Sequence, residues 1–157
     1  MSMSAFFPYP DEEQPDQEPK FLAQLSESAL QKIYSIGEIQ RFEAGDIAVT
    51  EGGLDTSLYI VLEGEAEVSI PKRKGWLNVA VLRPGSVFGE LSFFDHMPRS
   101  ARVSVITDCV FLRFSEHSFQ RLLVHDSSLA MALVLDLGKI LSLRLRHMNQ
   151  LVQDLLK

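Results

Sequence analysis

Gly89, Glu90 and Arg99 are the residues of this sequence best suited to chemistry. They lie in the stretch 88–103 (FGELSFFDHMPRSARV), where Arg99 follows Glu90 by nine residues inside a Pro98-Arg99-Ser100-Ala101 run. A glycine lets the backbone come close to a ligand, and the amides of a short helix opening near Glu90 can point at negative charge. The Glu90 carboxylate accepts hydrogen bonds from a hydroxyl, and the Arg99 guanidinium offers a planar fork of donors to a phosphate. Together they suit a small anionic ligand that carries sugar hydroxyls.

The elements that must hold these groups can be read from punctuation. Between Ile39 and Phe114, short apolar runs are broken by Gly45-Asp46, Gly52-Gly53, Gly64, Gly75 and Pro84-Gly85, at spacings of about ten residues. This predicts an all-β barrel or sandwich. Residues 57–62 (SLYIVL) form a largely apolar strand. After Gly64, Ala66, Val68 and Ile70 share one face of the next strand, with Glu65 and Glu67 on the other. Pro71-Lys72-Arg73-Lys74-Gly75 is a hairpin tip, read as a solvated turn although its three bases suit an acidic partner.

Helices flank this region. From Phe21, the apolar pattern through Ile36 predicts one or two short helices, with Ser26 capping the second. Ser115 is placed to cap another, with Phe119, Leu122 and Leu123 inward. A long helical stretch follows from about 127 to the end. There Leu141, Leu145, Met148, Val152 and Leu155 recur at four- and three-residue steps, the seam by which two helices pack along each other. Self-association is therefore expected, against the alternative of a helix lying on its own barrel.

In this order the chain resembles the cyclic-nucleotide-binding domains of the bacterial catabolite activator and of kinase regulatory subunits. The resemblance runs from about Phe21 to Leu156. It rests on the stretch around Glu90 and Arg99, on residues 41–46 (RFEAGD) and on 58–64 (LYIVLEG). It implies a mainly β fold with flanking helices: an eight-stranded antiparallel jelly-roll barrel, an N-terminal helical lead-in and two C-terminal helices.

The resemblance also implies roles. Arg99 would pair with a cyclic phosphate and Glu90 accept from the ribose 2′-hydroxyl. Gly89, Leu91 and Ser92 would offer amides at the start of the cassette helix, and Ala101 another to the phosphate. A hydroxyl at Ser100 can bond either the phosphate or a guanine amino group, so cyclic GMP stays open beside the favoured cyclic AMP. Asn149, on the last helix, would read the base edge, if need be across a dimer. Arg102 departs from the family, which often has threonine or an aromatic there. The catabolite-activator type continues into a helix-turn-helix, whereas this sequence runs to Lys157, so a stand-alone domain without operator binding is expected.

Composition narrows the function classes. Residues 1–19 hold five acids (Asp11, Glu12, Glu13, Asp16, Glu18), no base and four prolines, and read as a disordered arm ahead of a domain spanning 20–157. Phe6, Phe7 and Tyr9 in that arm could dock on a partner or on the domain. The domain itself is nearly neutral, and without a basic stripe it is not expected to bind nucleic acid directly. Cys109, the single cysteine, reads as a small buried thiol. No signal peptide or membrane-spanning run is present, so a cytoplasmic protein without a membrane partner is expected. The barrel also resembles the cupins, but His96, His117, His125 and His147 are isolated, and neither a metal site nor an enzyme is predicted. No cofactor is expected beyond the nucleotide as ligand, and the effector protein downstream is not identified by the sequence. The rival to a nucleotide sensor is a protein-interaction module that keeps the fold without using a nucleotide.

Overall fold

The computed structural model describes residues 20–157; the arm at 1–19, with Phe6, Phe7 and Tyr9, lies outside the described residues. Phe21 and Leu22 form a turn whose side chains are buried. One helix follows, α1 (Glu27–Ile36), where the sequence allowed one or two. Ser26 caps it, its hydroxyl accepting from the Ala29 amide at 3.2 Å.

Eight strands come next: β1 (Glu38–Phe42), β2 (Ile47–Val49), β3 (Leu58–Glu63), β4 (Ala66–Pro71), β5 (Trp76–Leu82), β6 (Val87–Phe88), β7 (Arg102–Val105) and β8 (Cys109–Phe114). A six-residue helix, α2 (Glu90–Asp95), sits between β6 and β7. The strands form two antiparallel four-stranded sheets, in the orders β1-β8-β3-β6 and β2-β7-β4-β5. The eight-stranded antiparallel pattern is therefore present, as two sheets with edges and not as one closed barrel. The edge strand β6, between Gly85 and Gly89 with their positive φ, is two residues long.

Alternation along the strands builds two cores. In β3, Tyr59 and Val61 face the other sheet, packing with Phe88 and Phe111 of their own sheet and with Val68, Val103 and Val105 of the facing one. Tyr59 stacks on Phe88 with centroids 5.0 Å apart. Leu58 and Ile60 point the opposite way, into a second core with Ile33, Leu112, Phe114, Leu122 and Leu133. That double burial explains why 57–62 is apolar without alternation. Strand β4 packs Ala66, Val68 and Ile70 on one side of its chain as their spacing predicts, while on the other Ser69 is buried with its hydroxyl donating to Asn78 Oδ1.

Two helices close the second core: α3 (Glu116–His125) and α4 (Ser127–Leu155). Ser115 caps α3, accepting from Ser118 N at 3.0 Å. In α4, Leu133, Leu137, Ile140 and Arg144 make the buried stripe. The lead-in clamps the first half of α4, because Leu22 N donates to Asp136 Oδ2 at 2.6 Å. None of the described helices is long and apolar enough to cross a membrane.

Candidate functional site

Gly89 sets the geometry of the site. It caps α2 in the left-handed conformation (φ 82°), a region other residues enter at a cost. A Cβ at this position would lie 2.7 Å from both Arg99 Nη1 and Ser57 O, so only glycine fits. Lacking a side chain, it also leaves the first α2 amides uncapped and open to an external acceptor.

Arg99 is 5% exposed and held from three sides. Nη1 donates to Gly89 O at 3.0 Å, while Nη2 donates to Ser57 O at 2.6 Å and Asp55 Oδ2 at 3.2 Å. Its Nε is buried and has no hydrogen-bond partner among the described residues. A buried donor of this kind is costly unless something accepts from it, and an anionic oxygen in the adjoining cavity would do so.

Asp55 anchors the guanidinium. Burial alone would raise its pKa, but hydrogen bonds from the Ser57 hydroxyl and amide, from Tyr59 and from Arg113 outweigh that and hold it down at about 2. Burial, and then the Asp55 charge, push the Tyr59 phenol up, so it remains a donor to Asp55.

Glu90 is buried, and its partner comes from α4. Arg144 Nη1 donates to Glu90 Oε1 at 2.7 Å, and Arg144 Nη2 to Val87 O at 3.0 Å. Both side chains of the ion pair are under 10% exposed.

A cavity of about 330 Å³ joins these groups. Gly89, Glu90, Leu91, Ser92, Arg99, Ser100 and Ala101 line it, with Val49, Val68, Ile70, Phe88 and Val103 as its apolar walls. One cation, several free amides, a carboxylate and a flat apolar wall can accept a compact phosphate ester with an attached ring system. Asn149 is exposed on α4 and is not among the lining residues. Arg102 turns away from the cavity and stacks on Trp76, 3.8 Å from the ring centroid. Cys109 is buried, its thiol donating to the carbonyls of Glu65 and Thr107, and burial pushes its pKa up. Among the described residues no cluster of histidine, cysteine and carboxylate could hold a metal ion.

Sequence reasoning missed Asp55, Ser57 and Arg144. Arg144 left a trace, since it continues the Leu133, Leu137, Ile140 phase and so occupies a buried position of α4.

Residues 39–126 match the model of the cyclic nucleotide-binding domain, and this chain belongs to that family. The cAMP-dependent protein kinase regulatory subunit of Mycosarcoma maydis is 35% identical over 104 residues, covering 63% of this chain and 20% of that protein. The cGMP-dependent protein kinase of Toxoplasma gondii is 34% identical over 93 residues, covering 58% of this chain and 9% of that protein. The Thermus thermophilus catabolite activator protein superposes with a TM-score of 0.75 at 25% identity, covering 88% of this chain and 63% of the other. The match thus spans a fifth or less of the length of these two kinase relatives.

Proposed function

We propose that this domain is a cyclic AMP sensor that reports occupancy through movement of α4. The cyclic phosphate would sit against Arg99 Nε and the amides of Gly89, Leu91, Ser92 and Ala101. The ribose 2′-hydroxyl would donate to Glu90. The observation that carries the reading is the Glu90–Arg144 pair, because the carboxylate suited to the sugar is the one that α4 holds. A ribose hydroxyl on Glu90 competes with or reshapes that ion pair, and α4 beyond Ile140 responds. The protein carries no catalytic role in this reading, works in the cytoplasm, and passes the signal to an effector protein.

Ser100 gives cyclic GMP a possible contact, so selectivity is part of the test. Asn149 would approach the base only if the last turns of α4 swing over the cavity or belong to a second copy. Such a copy is part of the proposal: Leu145, Val152 and Leu155 are exposed on α4, while Leu141 and Met148 are half-buried beside them. They would form a parallel homodimer seam.

Calorimetric titration with both nucleotides tests the reading. One cyclic AMP per chain is expected, with a rise in melting temperature, since the ligand binds the native form alone. No heat and no melting shift at saturating nucleotide would overturn it and favour a nucleotide-independent interaction module.

A further inference from the structure

The hairpin joining β4 and β5 is charged out of keeping with the rest of the chain. The sequence carries a net charge of −6, yet no acid lies between Glu67 and Glu90. At the turn, Lys72, Arg73 and Lys74 are all exposed, and Lys72 N donates to Gly75 O to close the tip. None of these three cations pairs with a carboxylate among the described residues.

The fold brings up two more groups. Trp76 pairs with Pro71 across the hairpin, and Arg102 on β7 pairs with Ser69 on β4. The Arg102 guanidinium therefore lies on the Trp76 ring, 3.8 Å from its centroid, and the indole remains 39% exposed. One half-exposed indole carrying Arg102 thus sits beside a turn with three exposed cations.

Shape selects the partner. Residues 71–76 are exposed without a break, so the tip is a projecting apex and offers no groove for a peptide chain. A projecting apex fits a flat surface. An indole with one wet edge, set among lysines and arginines, matches the headgroup layer of an anionic bilayer, where aromatic rings settle and basic residues meet lipid phosphates. We propose that the β4–β5 tip docks this domain peripherally on an anionic lipid surface, with Trp76 at headgroup level and Lys72, Arg73, Lys74 and Arg102 facing the phosphates. The sequence expectation of no membrane partner rested on the lack of a spanning segment, which has no bearing on docking of this kind. Residues 71–76 do not line the nucleotide cavity, so the two sites can be tested separately.

Trp76 is the single tryptophan, so its emission reports on the tip directly. The full chain should sediment with vesicles in which phosphatidylserine replaces about a third of the phosphatidylcholine. Its emission should shift to the blue, and high salt should reverse both effects. Vesicles of phosphatidylcholine alone should do neither. The Lys72→Ala/Arg73→Ala/Lys74→Ala variant should partition roughly 100-fold more weakly, at about fivefold per cation, with an unchanged melting temperature. Equal binding to neutral vesicles, the absence of an emission shift, or full binding by the triple variant overturns the proposal. So does a salt-sensitive shift produced by single-stranded nucleic acid or polyglutamate when anionic vesicles produce none.

Discussion

Glu90 and Arg144 are joined by a buried ion pair of 2.7 Å that ties α2 to the second half of α4. Breaking such a pair from one side leaves an uncompensated charge, at a typical cost of about 3–5 kcal/mol. Arg144→Met should therefore lower the unfolding free energy of the free protein by about that much, read by urea denaturation. It should also uncouple the helix. Cyclic AMP should alter amide exchange in residues 141–155 of the unmodified protein and leave that region unchanged in Arg144→Met. Equal nucleotide-induced changes in both proteins would mean that α4 is not coupled through Glu90.

Arg99 separates the cassette from its surroundings more sharply. A phosphate taken into the cavity loses hydration and needs a fixed counter-charge, and removing one partner of such a pair typically costs about 2–5 kcal/mol. Arg99→Ala should weaken cyclic AMP by roughly 30-fold to several thousand-fold in calorimetry. Arg102→Ala should change affinity far less, because its guanidinium stacks on Trp76 outside the cavity. Arg73→Ala, at the hairpin tip, should leave it unchanged. Comparable losses from Arg99→Ala and Arg102→Ala would move the phosphate site to another register.

The sequence exposed some of these features and hid others for physical reasons. Local rules found the Ser26 and Ser115 caps, because a cap joins residues three apart in sequence. Period-two alternation found the apolar face of β4. The cassette residues were legible because they lie within a dozen positions of one another. Asp55 was not, since it meets Arg99 only where the loop before β3 passes the cassette, 44 residues away. No spacing rule reaches that far. Arg144 was hidden by its chemistry, as an arginine between leucines reads as surface although its helical phase is buried. The division into two sheets depends on which strands pair across long sequence separations, which no local spacing states.

Asp55 makes stability depend on pH in a defined direction. Its folded pKa of about 2 lies below the ordinary aspartate value of 3.8, so the folded state favours the charged form. The stabilisation is fully present above about pH 4 and is lost as pH falls toward 2. The Asp55 side chain is 43% exposed, so solvent screening makes the contribution modest. Asp55→Asn should melt below the unmodified protein at neutral pH, and the gap should narrow between pH 4 and pH 2. A gap that stays constant over that window would show that the Asp55 charge is not what holds the Arg99 and Arg113 guanidinium groups.

Assembly can be judged on α4 alone. Leu145 and Val152 are 63% and 49% exposed and lie seven residues apart, two turns along one face. Apolar side chains recurring at that interval on an uncovered helix favour a second helix. Leu141 and Met148, each four residues before one of them, are half-buried and complete the four- and three-residue steps of the seam. Light scattering of the unmodified chain should give the mass of two copies. Leu145→Glu/Val152→Glu places charges where the helices meet and should give one copy. A protein that is already monomeric at high concentration would show that α4 makes no such seam.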